Sequence, residues 1–164
     1  MGRSLSVTKS GDLEIVMTRS FDAPRGLVFD AWTKPELVRR WFGPHGCEVV
    51  ECEIDLWVGG RWRYRLLHDG GKEMVLQGVY QEISRPERLV SLETNEDCEA
   101  SEGDALATLT LVEDGGVTTL TQVVRYGSKR IRDAVLESGM ERGVGEGFDR
   151  LAEVVAVPVR AGAR

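Results

Sequence analysis

The run Arg61-Trp62-Arg63-Tyr64-Arg65-Leu66 decides the architecture. Its side chains alternate without a break, so in an extended strand Trp62, Tyr64 and Leu66 share one face and Arg61, Arg63 and Arg65 the other. Burying unpaired guanidiniums costs several kcal/mol apiece, so the aromatic face is the inner one and the arginine face meets water and neighbouring acids. The same parity recurs on both sides. Upstream it turns Val50, Cys52, Ile54 and Leu56 inward; downstream it does so for Ala107, Leu109 and Leu111, then for Leu120, Gln122, Val124 and Tyr126. Met74 to Ile83 is apolar on both faces, and Tyr80 inward is the better of its two registers.

Turn residues at Gly59-Gly60, Asp69-Gly70-Gly71, Arg85-Pro86 and Asp114-Gly115-Gly116, with the acid-rich stretch Glu93 to Asp104, cut Cys47 to Tyr126 into six strand-like runs. Asp114-Gly115 is the strongest hairpin signal. Before this region a first strand is expected over Leu13 to Ser20. Asp22 then caps a short helix at Pro24 whose inner face is Leu27, Val28, Ala31 and Trp32. Thr33 caps a second helix with Leu37, Val38 and Trp41 on one side, and Gly43-Pro44 stops it.

After the strands a long helix is expected from Lys129 to Ala156. Met140, Val144, Phe148, Leu151 and Val155 fall within an arc of roughly 80°, a stripe that faces the sheet. Gly139, Gly143 and Gly147 form a second stripe. Each interior helical glycine costs about 1 kcal/mol relative to alanine, so the alignment implies either close backbone packing or space left over the sheet. Ile131 and Val135 lie off the later stripe, so the helix bends or begins afresh near Gly139. Strands in one block with helices gathered outside it give an α+β fold built on an antiparallel sheet.

The chain has 164 residues, within the range of one domain. The expected boundaries are an N-terminal tail over 1–11, the domain over 12–157 and a C-terminal tail over 158–164. With 21 basic and 27 acidic residues the net charge is −6. That lacks the basic footprint a nucleic-acid partner requires. No apolar run reaches the length of a membrane span and no signal-peptide pattern opens the chain, so no membrane insertion and a cytoplasmic location are expected. The cysteines are Cys47, Cys52 and Cys98, with no Cys-x-x-Cys spacing. Cys47 and Cys52, five apart, would face opposite sides of one strand, and His45 and His68 stand apart, so no metal or other cofactor is expected. Glu93 to Asp104 is acid-rich and reads as a solvated loop.

Four blocks resemble one family. They are Phe21-Asp-Ala-Pro-Arg-Gly-Leu-Val-Phe-Asp-Ala-Trp-Thr-Lys-Pro-Glu-Leu-Val-Arg-Arg-Trp-Phe-Gly-Pro44, Asp55-Leu-Trp-Val-Gly-Gly-Arg-Trp-Arg-Tyr64, Gly78-Val-Tyr-Gln-Glu-Ile-Ser-Arg-Pro-Glu-Arg-Leu89 and Gly139-Met-Glu-Arg-Gly-Val-Gly-Glu-Gly-Phe-Asp-Arg-Leu-Ala152. In this order they are similar to the activator-of-heat-shock-protein-90-ATPase-like family of the START-like (SRPBCC, Bet v-type) superfamily. The resemblance implies a helix-grip fold: a curved antiparallel sheet of seven strands around a long C-terminal helix, with two short helices between the first two strands. It also implies a hydrophobic cavity between sheet and helix. It carries over no catalytic residue.

The expected function is binding of a hydrophobic or aromatic small molecule in that cavity. Its walls would be Trp62, Tyr64, Leu109, Met140, Val144 and Phe148, and its orienting polar groups Tyr64, Tyr80 and Gln122. A cyclase- or hydrolase-like enzyme acting on a polyketide-like substrate is the alternative. Acid–base chemistry needs a titratable group inside, and the inner faces offer only tyrosines and Glu82. Exposed sheet edges allow a homodimer. A chaperone interaction follows from the family name alone and is not expected, because the chain lacks the additional N-terminal domain of the eukaryotic activators.

Overall fold

The computed structural model describes residues 4–95 and 104–156. Eight strands form one antiparallel sheet: β1 (Ser6–Ser10), β2 (Glu14–Phe21), β3 (Cys47–Ile54), β4 (Arg61–His68), β5 (Glu73–Ser84), β6 (Arg88–Asn95), β7 (Ala105–Asp114) and β8 (Val117–Arg125). Their spatial order is β1-β2-β8-β7-β6-β5-β4-β3. Helices α1 (Arg25–Thr33) and α2 (Pro35–Trp41) join β2 to β3, and α3 (Lys129–Glu137) and α4 (Met140–Val155) close the chain. This is the helix-grip arrangement, with one strand more than expected. The eighth is Ser6–Ser10, in the stretch read as tail, which pairs with the outer edge of β2 from Ser6 opposite Thr18 to Ser10 opposite Glu14. A short polar strand suits a sheet edge, where only its backbone is needed.

The inner face of β4 is as the alternation requires: Trp62, Tyr64 and Leu66 are buried. On the outer face Arg65 bonds both Glu51 and Glu73, and Arg63 lies 3.3 Å from Glu51. On β3 the expected parity holds for Cys52 and Ile54 but fails before them. A bulge between Val49 and Glu51 shifts the register, so Cys47, Val49 and Cys52 are buried while Val50 is half-buried. One extra residue flips every position beyond it, which brings Cys47 and Cys52 to the same face. Leu56, expected inward, lies beyond the strand and is 39% exposed. The tight β7–β8 hairpin forms as expected, with Asp114 opposite Val117.

The helix caps differ from expectation. Pro24, not Asp22, is the N-cap of α1 and makes no side-chain cap bond. Lys34 caps α2 with Pro35 in its first turn, while Thr33 Oγ1 donates back to Phe29 O at 2.9 Å. Leu27 is exposed and Phe29 takes an inner position. The closing helix is two helices. Gly139 between them has φ of 88°, a left-handed conformation that ends α3 and starts α4 in a new direction.

Two buried arginines fix these helices over the sheet. Arg132 on α3, 2% exposed, donates to the carbonyls of Gly11 and Glu14 at 3.0 Å each, tying α3 to the β1–β2 turn. Arg19 on β2 donates to Asp149 on α4 at 2.6 Å and lies over the Phe21 ring, 5.1 Å from its centroid. Along α4 the apolar stripe divides. Phe148, Leu151 and Val155 pack into the solid core with Phe21, Val28, Phe29 and Val38, whereas Met140 and Val144 are half-buried over the other end of the sheet.

Candidate functional site: a cavity between sheet and closing helices

Where α4 leaves the solid core, a cavity of about 530 Å³ lies between the inner sheet face and helices α3 and α4. The floor follows from strand parity. Trp62 and Tyr64 come from β4, Tyr80 from β5, Leu109 from β7 and Gln122 from β8, and the roof is Met140, Val144 and Phe148 on α4. All eight of the residues expected to bound a site therefore line one space. The break at Gly139, which the departure of Ile131 and Val135 from the α4 stripe implied, is accompanied by a place for both residues in the same roof. The lining reaches the surface at Asp104 and Ser138, both exposed.

Aromatic rings brace one wall. Trp62 and Tyr64 have centroids 4.8 Å apart, Phe42 meets Tyr64 at 4.9 Å, and Phe148 lies 6.1 Å from Trp41 and 6.2 Å from Trp32. Trp62 is locked by a buried hydrogen bond of 2.6 Å from its Nε1 to Ser91 Oγ. Trp41 Nε1 donates to Ala31 O at 2.9 Å, which fixes the two short helices to each other.

The aligned glycines of α4 have separate causes. A Cβ on Gly147 would stand 3.3 Å from Gly43 O and 3.5 Å from Trp41 O, so the helix backbone there rests against the end of α2. At Gly143 the nearest atoms would be Pro44 side-chain carbons at 3.6 Å and beyond, ordinary contact. Close approach accounts for Gly147 and backbone conformation for Gly139.

Polar groups in the lining are few. The side chains of Tyr64, Tyr80 and Gln122 make no hydrogen bond among the described residues, nor do those of Tyr126 and Glu93. Burial raises the Tyr64, Tyr80 and Tyr126 hydroxyls above the usual phenol range; nearby Tyr80, Cys52 and Glu93 add to the effect at Tyr64, Cys52 at Tyr80 and Glu93 at Tyr126. Burial also pushes the Glu93 carboxyl up to about 7. Trp32 Nε1 is buried with no partner among the described residues.

Glu93 corrects the sequence reading, which placed it in a solvated loop; Glu93 belongs to β6 and points inward with Leu89 and Ser91. Asp104 is exposed at the rim, and Glu96, Asp97, Glu99 and Glu102 of that stretch, with Cys98, lie outside the described residues. Glu82 is not in the lining and pairs with Arg88 at 3.1 Å. His45 is an exposed loop residue whose backbone N–H donates to Glu146 at 2.9 Å.

Cys47 and His68, opposite each other on β3 and β4, have Sγ 3.1 Å from Nδ1, a pairing that no sequence spacing announced. Burial, reinforced by Asp69, raises the Cys47 thiol, so it stays protonated at neutral pH; Cys52 is pushed up to about 11 in the same way. Among the described residues no three His, Cys, Asp or Glu side chains converge on a metal-sized site. No helix among them is long and apolar enough to cross a membrane.

Residues 22–156 match the family described as Activator of Hsp90 ATPase homolog 1-like protein. A crystal structure of a protein from Rhodobacter sphaeroides is similar at 26% identity with a TM-score of 0.84, over 98% of this chain and 99% of that one. Protein Ms6760 from Mycobacterium smegmatis shares the fold at 21% identity and a TM-score of 0.83, over 94% of this chain and 98% of its own. The solution structure of CalU16 from Micromonospora echinospora does so at 23% identity and a TM-score of 0.60, over 93% of this chain and 72% of its own. No curated protein matches the chain.

Proposed function

Because this chain belongs to the Activator of Hsp90 ATPase homolog 1-like family, we propose that it binds an apolar or aromatic small molecule in the cavity between its sheet and closing helices. One observation carries this reading. A space of about 530 Å³ is walled by Trp62, Tyr64, Leu109, Met140, Val144 and Phe148, with the side chains of Tyr64, Tyr80 and Gln122, which make no hydrogen bond among the described residues, beside them. That volume lies in the range of roughly 300–1,000 Å³ typical of small-molecule sites, and a mostly apolar wall with a few polar groups is their usual chemistry. The buried free thiols of Cys47 and Cys52 are in keeping with a reducing, cytoplasmic setting. Isothermal titration against lipid, flavonoid and polyketide panels tests the proposal. It expects saturable one-to-one binding of at least one class, weakened by Phe148→Ala or Tyr64→Phe; no heat from any class contradicts it.

The enzymatic alternative has one observation in its favour: Glu93 is the titratable group inside the cavity that acid–base catalysis needs, and its carboxyl titrates near neutrality. Mass spectrometry of bound ligands after incubation separates the two readings. Release of an altered molecule by the wild type, and of the unaltered one by Glu93→Gln, supports catalysis; recovery of the unaltered molecule from both supports a binding protein.

A further inference from the structure

Glu93 has a setting that an apolar pocket alone does not explain. On β6 it pairs with Gly78 of β5 on one side and Ala105 of β7 on the other, so neither cross-strand partner sets a side chain larger than a methyl beside it. Past Gly78 comes Trp62, whose ring occupies the space that a Cβ on Gly78 would need, 2.6 Å from it. Past Ala105, one residue beyond the Leu106–Arg125 pair, comes Tyr126. The carboxyl therefore stands in a slot on the cavity floor with an aromatic ring at either end.

Among the described residues, the charges lining the cavity are all of one sign. Glu93 and Asp104 are the charged residues of the lining, and both are acidic. The other titratable side chains facing the space are Tyr64 on β4, Tyr80 on β5 and Tyr126 after β8, each held neutral by burial. The residues that β7, α3 and α4 contribute to the lining, among them Ala107, Ile131, Val135, Met140 and Val144, bring no charge apart from Asp104 just before β7. Glu93 has no ion pair and no side-chain hydrogen bond among the described residues. A buried carboxyl in this state gains most from a cationic donor supplied by what enters the cavity.

We propose that Glu93 is the recognition residue of the cavity and that its ligand is an amine: an apolar or aromatic body carrying a protonated nitrogen, which donates to the Glu93 carboxylate between Trp62 and Tyr126. The inference rests on reading the cavity as a ligand site and adds the class of ligand. Aromatic rings flanking the carboxylate favour a cation further. Because the empty protein holds the Glu93 proton up to about 7, amine affinity rises with pH through that value, while an uncharged ligand gains nothing from the ionisation.

The uncharged fluorescent probe N-phenyl-naphthylamine, displaced in turn by naphthylmethylamine, naphthylmethanol and naphthoic acid, tests this on the wild type and on Glu93→Gln. At about pH 8 the amine is expected to displace the probe from wild type roughly tenfold better than the alcohol, with the acid weakest; the advantage shrinks at about pH 6. Measured against each protein's own affinity for the probe, Glu93→Gln is expected to treat amine and alcohol alike. An amine no better than the alcohol on wild type, or an amine preference that survives Glu93→Gln, overturns the inference and leaves the cavity a neutral-ligand site. No saturable probe binding by the wild type overturns both readings together.

Discussion

Glu93 and Trp62 show how single side chains set the chemistry of this interior. A carboxyl inside an apolar space holds its proton because ionising there forfeits hydration. Glu93 moves from the ordinary 4.5 to about 7 on folding, so the folded protein binds protons more tightly than the unfolded chain across that interval. Stability contributed by this group is full below about pH 4.5 and is lost as pH rises through about 7. Glu93→Gln is therefore expected to be more stable than wild type at pH 8, by about 3 kcal/mol, and to show no such decline; urea titrations across the pH range measure it. An unchanged pH profile would mean that water reaches the carboxyl. Trp62 depends on Ser91, the acceptor of its buried Nε1. Ser91→Ala leaves that donor unpaired and is expected to cost about 1–3 kcal/mol in the same assay.

At the scale of elements, α4 combines glycines with different reasons, and substitutions tell them apart. Gly143→Ala has ordinary contact space and a helical position, so it is expected to stabilise by up to about 1 kcal/mol through helix propensity. Gly147→Ala must push against the backbone of Gly43 and Trp41 and is expected to destabilise by about 1–3 kcal/mol. Gly139→Ala, at φ of 88°, is strained whatever the space around it and is expected to cost about 1–2 kcal/mol. Thermal melts of the three variants check this ordering, and a stabilised Gly147→Ala would refute the close approach.

The elements also show what a single sequence makes legible. The β4 alternation and the turn glycines announce strands and their faces because those signals are local. The bulge on β3 and the pairing of Ser6–Ser10 with β2 are not local: each depends on which residue stands across the ladder. The apolar side chains of the cavity were likewise readable from parity, whereas Glu93 was not. Its acid-rich neighbourhood resembles a solvated loop, and its openness comes from Gly78 and Ala105 on strands well separated in sequence.

For the whole molecule, the division between a solid end and a hollow end is the functional statement. Leu151 and Val155 close the core against α1 and α2, while Met140 and Val144 leave room beneath them. The outer arginine face, with Arg65 bonded to Glu51 and Glu73, is surface chemistry; Arg65→Ala is expected to leave the urea midpoint close to that of wild type. The direct test of the hollow end is to fill it. Ala107 on the floor and Val144 on the roof both line the space, and Ala107→Phe combined with Val144→Phe occupies it from opposite sides. N-phenyl-naphthylamine fluorescence, read beside circular dichroism to establish that both proteins are folded, should saturate with wild type and stay at the level of free probe with the double variant. Equal saturation of the two, or none with wild type, would contradict a ligand chamber between sheet and helix.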